Sequence, residues 1–190
     1  MKKSIIAAAL AASVSAPALA QWTESSEAGA TFHSSTPALN APTTETLTLY
    51  SVATSACEIS PMLIIVSSET GLPSSGEFPL RYRFDRKAVQ YHPSSFNTKL
   101  SDDGNNTYIY LTLPTSDQFI DDIMSGNSVL IGIDQPGSDA TSKFSLKGST
   151  NAIGSILSDC ANAVAVDNDP WGETETNDWS ENQSEAEWGI

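Results

Sequence analysis

The sequence predicts a mainly β domain: an antiparallel, sandwich-like arrangement with one or two short helices. Short segments alternate polar and apolar side chains, or consist of β-branched and aromatic ones, as strands do. Clusters of Gly, Pro, Asn and Asp separate these segments, for example at residues 71–79 and 101–106. Two cysteines far apart in the chain can connect its ends. Together these features favour a disulfide-linked β domain.

Residues 1–20 have the pattern of a secretory signal peptide. A basic start, Met-Lys-Lys, precedes an apolar run at residues 4–14, and Ala18 and Ala20 form an A-x-A cleavage site. We therefore expect export to a bacterial periplasm. The apolar run is too short to span a bilayer as a stable helix, so we expect no membrane insertion after cleavage.

After an extended N-terminal segment at residues 21–45, we predict one β-rich domain at residues 46–166. Residues 46–52 alternate with period two, which is typical of a half-buried strand. Residues 62–66 are continuously apolar, as expected for a strand covered on both faces. The other predicted strands are residues 29–35, at a sheet edge, and residues 78–85, 107–113, 128–133 and 141–146.

Two further segments are predicted to be helical. Thr115 or Ser116 can cap a helix that ends at about Ser125, before Gly126. Its apolar side consists of Phe119, Ile120 and Ile123. A second helix begins near residue 148, and its apolar side follows the i, i+3, i+4 rule through Ala152, Ile153, Ile156, Leu157 and Cys160.

Cys57 and Cys160 are the two cysteines of a chain that we expect to be exported. In an oxidising compartment such a pair indicates a disulfide bond, which would tie the second helix to the sheet. Two free thiols or a redox pair are the alternatives. The wide separation and the absence of a CxxC motif argue against a redox role.

Without residues 1–20 the chain has seven cations and 23 acids, a formal charge of −16. This charge argues against binding to nucleic acid or to anionic membrane surfaces. Eight acids and no cations lie between Asp167 and the end, together with Trp171, Trp179 and Trp188. We expect residues 167–190 to form a disordered acidic tail. The tail either keeps the protein soluble or binds a partner through its tryptophans, which are typical binding anchors.

The segment RYRFDRK, residues 81–87, concentrates positive charge in this acidic chain. It contains four of the seven cations, all candidate partner-binding residues: Arg81, Arg83, Arg86 and Lys87. Period two places Arg81 and Arg83 on one side of a strand, with Tyr82 and Phe84 on the other. Two interpretations remain open. The arginines form a solvated face that pairs with acids on neighbouring strands, or they bind a carboxylate of an anionic partner.

The sequence contains no motif for nucleophilic or metal-assisted catalysis. His33 and His92 are the only histidines, and neither GxSxG nor HExxH occurs. We expect no catalytic residue, no metal site and no cofactor. Asp102 and Asp103 suit a turn, and Asp121 and Asp122 suit the early turns of a helix. A carboxylate-based cell-wall hydrolase remains the alternative, and it needs two acids facing each other across a cleft. A small-ligand pocket between sheet and helices is the third hypothesis.

The order of several motifs along the chain is also informative. Trp22 follows the signal peptide, LRYRFD lies mid-chain, and FSLKGSTNAIGSILSDC ends at Cys160, with Phe119 to Ile133 between them. This order resembles the type VI secretion-associated periplasmic proteins of the VasI/TagO type, over roughly residues 46–161. The resemblance implies a non-enzymatic accessory role with a protein partner of the cell envelope, in secretion or another envelope assembly. It implies no catalytic residues, and the oligomeric state is not indicated.

Overall fold

The structure, a computed structural model, describes residues 22–27, 31–41, 43–53, 56–134 and 141–167. These residues form a mainly β domain with nine strands and two helices, which confirms the predicted fold class. The elements in chain order are β1 (Thr23–Glu27), β2 (Thr31–Pro37), β3 (Glu45–Val52), β4 (Ser60–Ser67), β5 (Ser75–Phe84), β6 (Gln90–Leu100), β7 (Thr107–Thr112), α1 (Asp117–Ser125), β8 (Ser128–Ile133), β9 (Ser142–Ser145) and α2 (Ser149–Asp167).

The nine strands form one antiparallel sheet in the order β1-β2-β3-β4-β7-β6-β5-β8-β9. The sheet curls until its two ends approach each other, where Ala38 bridges to Phe144 in β9. The amide of Leu39 also donates to the carbonyl of Lys143 at 2.7 Å. What the sequence predicted as a sandwich is therefore a single sheet whose inner side encloses the core.

The core lies on the inner side of this sheet and is completed by both helices. Phe84 and Phe119 meet edge to face with ring centroids 5.2 Å apart, and Phe144 is fully buried. Around them pack aliphatic side chains from strands and helices: Leu47, Leu49, Leu63, Leu80, Leu111, Ile123, Val129, Ile131, Leu146, Ile153 and Ile156. The inner side of the sheet therefore carries most of the hydrophobic stabilisation.

Helix α1 begins and ends where the sequence predicts. The hydroxyl of Ser116 accepts from the Phe119 amide, which is the N-cap contact, and the Gly126 amide donates to the Asp122 carbonyl at the other end. A β-carbon at position 126 would lie 2.6 Å from that carbonyl oxygen, which explains the glycine. Phe119 and Ile123 are buried, as expected.

Helix α2 runs to Asp167 and presents a narrower apolar side than the sequence suggested. Ala152, Ile153, Ile156 and Cys160 are buried, but Leu157 is 38% exposed. Leu157 lies at the flank of the buried side, next to the buried Ile156. The predicted inward position of this one residue is wrong.

The disulfide between Cys57 and Cys160 is present, with Cα atoms 5.8 Å apart and a sequence separation of 103 residues. Cys160 is fully buried on α2, and the Ser51 hydroxyl on β3 lies 3.6 Å from its sulfur. The bridge therefore links α2 to the sheet, as predicted.

Strands β1 and β6 were not among the strands predicted from the sequence. Because β1 lies outside β2, β2 is an internal strand, and its predicted position at the edge is wrong. The Ser25 hydroxyl and the His33 ring nitrogen, 2.6 Å apart, connect the two strands. Strands β1 and β2 both come from residues 21–45, and they belong to the same sheet as the rest of the domain.

Strand β4 was expected to be covered on both faces, and within the described residues it is not. Its inner residues Pro61 and Leu63 are buried, whereas Met62, Ile64 and Val66 on the outer side are half-buried. Tyr108 and Tyr110 on β7 lie beside Val66 and Ile64 and shield them partly from water.

The predicted signal peptide, residues 1–20, lies outside the described residues. So do Trp171, Trp179 and Trp188 and almost all of the predicted acidic tail. None of the helices in the described ranges is long and apolar enough to cross a membrane.

Candidate functional site: the arginine face

The two sides of β5 have opposite character, as the sequence predicts. Phe84 is 2% exposed and Tyr82 is half-buried, its ring 5.1 Å from that of Phe119. Arg81 and Arg83 alternate with them and lie on the outer side, Arg83 exposed and Arg81 half-buried. The strand therefore places two guanidinium groups on one outer surface because its inner residues are held in the core.

Strand register brings further residues to this outer surface. Tyr91 on β6 lies opposite Arg81, and Leu130 on β8 lies opposite Arg83. Lys143 on β9 follows, opposite Leu130. We name these five residues the arginine face. It holds three of the seven cations that follow residue 20, together with an exposed tyrosine.

No acid lies opposite the two arginines in the described registers. The partners of Arg81 are Tyr91 and Gly132, and the partner of Arg83 is Leu130. The nearest outer-side acids along the strands are Glu77, four residues away on β5, and Asp134, just beyond the end of β8. Asp134 follows Gly132 by two residues and so lies on the cross-strand diagonal from Arg81, and both interpretations of the arginines stay predictions.

The arginine face has a shallow depression at its centre. A cavity of about 300 Å³ is lined by Arg81, Tyr82, Arg83, Val89, Tyr91, Leu130 and Thr141. A second cavity, of about 470 Å³, lies on the other side of Tyr91 and is lined by Glu77, Phe78, Pro79, His92 and Pro93 as well. Tyr91 is 68% exposed and separates the two. An exposed aromatic ring beside two guanidinium groups suits a ligand with both an aromatic and a carboxylate group.

The other two candidate cations do not belong to this surface. Lys87 reaches the buried carboxylate of Asp122 on α1, with Nζ 2.5 Å from Oδ1. Gln118 also donates to that carboxylate, at 3.0 Å. Arg86 is exposed in the turn after β5. The RYRFDRK segment therefore divides between the outer surface of the sheet, which carries Arg81 and Arg83, and a structural ion pair between Lys87 and Asp122.

Asp85 fixes the strands that carry the arginine face. Its carboxylate accepts from the backbone amides of Asn127 and Ser128, at 3.0 and 2.9 Å, and so joins the end of β5 to the start of β8. These hydrogen bonds hold the pKa of Asp85 below its usual value. Its φ of 45° is left-handed, a conformation that Asp tolerates better than most residues.

Tyr91, Leu130 and Lys143 were not recognised as site residues from the sequence. Lys143 is separated from Arg83 by sixty residues in the chain, and only the β5-β8-β9 order brings them to one surface. Tyr91 could have been found by extending the period-two pattern backwards from Phe96, because odd-numbered residues of β6 point outwards.

An oppositely charged cleft lies elsewhere on the domain. Glu58, Asp117 and Asp121 line a cavity of about 450 Å³, with Ile59 and Ile120. The two acid pairs considered for hydrolysis lie in different parts of the fold, Asp102 and Asp103 between β6 and β7 and Asp121 and Asp122 on α1. Asp122 is 5% exposed and bound to Lys87, and Asp103 accepts from the Asn105 amide in the turn between β6 and β7.

The two histidines lie in strands rather than loops. His33 contacts Ser25, and His92 lies opposite Leu80 in the β5-β6 pair. Within the described ranges, no group of three or more His, Cys, Asp or Glu side chains is arranged to hold a metal ion.

Comparison with known proteins returned no family model that matches this chain, and no significant match to a curated protein or a solved structure.

Proposed function

We propose that this protein is a non-enzymatic interaction protein of the periplasm, and that the arginine face binds an acidic segment of a protein partner in the cell envelope. The observation that carries the proposal is the register of β5. Two arginines and an exposed tyrosine share one outer surface, with the apolar Leu130 opposite Arg83.

Charge and geometry both favour binding of a carboxylate to the arginine face. A guanidinium group binds a carboxylate through two parallel hydrogen bonds, which a point charge such as lysine does not provide. Arg83 is exposed, and its cross-strand neighbour Leu130 is apolar, so a bound carboxylate meets a partly dry surface. Rigid strands hold the pair, which lowers the entropic cost of binding.

The motif order that resembles type VI secretion-associated proteins supports an accessory role in secretion or another envelope assembly. That part of the proposal rests on the resemblance alone, and its test is whether deletion of the gene impairs secretion by its host.

The binding experiment uses two synthetic twelve-residue peptides that differ only in having Glu or Gln at four positions. Calorimetric titration of the full chain should show binding of the Glu peptide and much weaker binding of the Gln peptide. Replacing Arg81 and Arg83 by Ser should weaken binding of the Glu peptide at least tenfold, because each charge-assisted contact contributes about 1.5–3 kcal/mol.

The matched control carries Lys99→Ser and Lys147→Ser, which remove the same charge at exposed positions outside the arginine face. It should bind the Glu peptide within about twofold of the original chain, since only long-range, screened attraction is lost. Equal losses in the two double variants would show that net charge rather than the arginine face governs binding.

The acidic cleft supports a second candidate, a carboxylate-based hydrolase of the cell wall. Glu58, Asp117 and Asp121 line one cavity, and the two-carboxylate mechanism needs a pair of such acids facing each other across a cleft. Release of soluble fragments from purified peptidoglycan, abolished by Glu58→Gln or Asp121→Asn, would establish this activity. No release by the purified full chain would dismiss it.

A further inference from the structure

The chain itself contains a segment that complements the arginine face. Residues 168–190 have seven acids and no cation, and they contain three of the four tryptophans. Each of these tryptophans has a proline or an acid directly before it: Pro170, Asp178 and Glu187. The segment therefore repeats one chemical unit, an indole next to or near a carboxylate, three times.

The arginine face offers a matching set of groups. Tyr91 presents an exposed ring with a depression on either side, one lined by Arg81 and Arg83 and the other by Pro79 and Pro93. An indole packs against tyrosine, proline and guanidinium surfaces, while a neighbouring carboxylate pairs with arginine. Both parts of the repeated unit thus have a counterpart on this face.

Chain length allows this contact within one molecule. The last described residue, Asp167, ends α2. From there to Trp188 the chain spans at most about 70 Å when extended. A domain of this size has a diameter of about 40 Å. Because attachment to the same chain gives the segment an effective concentration in the millimolar range, even an intrinsically weak contact would be populated.

We propose that the C-terminal segment, residues 168–190, is the resident ligand of the arginine face, bound within the same molecule through a tryptophan and a carboxylate. An external acidic segment then binds by displacing it. This second statement rests on the proposed function, whereas the contact within the molecule does not.

The test measures how far acrylamide quenches tryptophan fluorescence in the full-length mature chain. Replacing Arg81 and Arg83 by Ser should release the segment and increase the quenching constant about twofold, and 0.5 M NaCl should do the same to the original chain. Trp22 packs against the core and Gly148 and contributes the same background in each variant. Circular dichroism of each variant verifies that it is folded.

The control Lys99→Ser is chosen for its position as well as its charge. Lys99 lies opposite Tyr108, on the outer surface formed with Val66, which is the other partly apolar surface of the sheet. If the segment binds the arginine face, Lys99→Ser leaves quenching unchanged. Release by Lys99→Ser, or unchanged quenching in the arginine variant, would overturn the proposal.

Dilution separates binding within one molecule from binding between two. Quenching should not change between 1 and 100 μM protein, and sedimentation should show a monomer. A quenching constant that falls with concentration, together with a dimer, would overturn the intramolecular contact in favour of exchange between copies.

The Glu peptide then distinguishes this inference from the proposed function. In the chain with Trp171, Trp179 and Trp188 replaced by Ala, the peptide should bind several-fold more tightly than in the original chain. Equal affinity would mean that the segment does not compete, although the face still binds acids. If no chain binds the peptide but the arginine variant still shows release, the inference stands and the proposed function fails.

Discussion

The inner and outer sides of β5 differ in what they contribute. Leu80, Tyr82 and Phe84 point inwards and join a core formed by strands and helices distant in sequence. Arg81 and Arg83 point outwards, and their cross-strand neighbours are Tyr91, Gly132 and Leu130. The same backbone therefore serves two purposes that can be altered separately. The core fixes the strand, and the fixed strand fixes the spacing of the guanidinium groups.

Charges on the outer side of β5 should contribute less to stability than the core residues on its inner side. Removing an exposed charge usually changes stability by less than about 0.5 kcal/mol. Arg83 is exposed, so its charge should contribute little to the stability of the fold. Lys87 differs because it neutralises a buried carboxylate, that of Asp122.

The largest effect on the inner side should follow loss of the disulfide. Replacing Cys57 and Cys160 by Ser should lower the free energy of unfolding by about 4–5 kcal/mol, because the bridge closes a long loop in the unfolded chain. Denaturant unfolding at constant pH measures the change. Where the variant is still folded, its affinity for the Glu peptide should match that of the original chain.

Reduction of the original chain under the same conditions is the control for the disulfide variant, and it should give a similar loss. A loss below about 1 kcal/mol would contradict the loop-closure argument. If the folded variant also lost peptide binding, the inner and outer sides of β5 would not be independent of each other.

A smaller effect is expected at Phe84. Phe84→Ala should lower the free energy of unfolding by about 3–4 kcal/mol, because it leaves a cavity between Tyr82 and Phe119. Phe84→Leu, which keeps most of the volume, should cost only about 1 kcal/mol. Thermal unfolding of both variants measures this difference. Equal costs would indicate that the core around β5 relaxes to fill the space.

The sequence predicted which residues face the core better than it predicted the complete set and order of the strands. Clear alternation identified β3, β5 and β7, and the Ser116 cap and Gly126 placed α1 accurately. Strand β6 lacks these signals because its inward residues His92 and Ser94 are polar and Pro93 interrupts it.

The proline in β6 is tolerated for a reason that only the register reveals. Pro93 lies opposite Pro79, whose carbonyl accepts from the Asp134 amide on the β8 side. Position 79 therefore directs its backbone groups away from β6, so Pro79 and Pro93 form a pair without hydrogen bonds. Neither missing amide removes a hydrogen bond between β5 and β6.

The arginine face was predictable only in part, because some of its residues are brought together by strand pairing rather than by the local pattern. Arg81 and Arg83 follow from period two within one segment, which is local information. Lys143 and Leu130 reach the face through the pairing of β5, β8 and β9, and the pairing depends on the whole sheet. Strand β1 gave no signal at all, since its five residues are polar and exposed.

The smallest expected effect lies at Asp85, where the inner and outer sides meet. Asp85→Asn keeps the shape and the tolerance for a left-handed backbone but removes the charge that accepts the Asn127 and Ser128 amides. We expect a loss of about 1 kcal/mol in the free energy of unfolding at pH 7. Because the folded state lowers the pKa of Asp85, its stabilisation is present above the ordinary value of 3.8 and is lost as pH falls below it.

The stability difference between the original chain and Asp85→Asn should therefore shrink below pH 3.8. Asp103 is the matched control, since its pKa is lowered to about 2 by the Ser101 hydroxyl and the Asn105 amide in a turn remote from β5 and β8. Asp103→Asn should remove the stabilisation that the original chain loses as pH falls from 3.8 to about 2. It should leave peptide binding unaltered. Asp85→Asn should weaken peptide binding slightly, because the start of β8 would no longer be fixed beside Arg83. Unchanged binding would show that the core alone positions the arginine face.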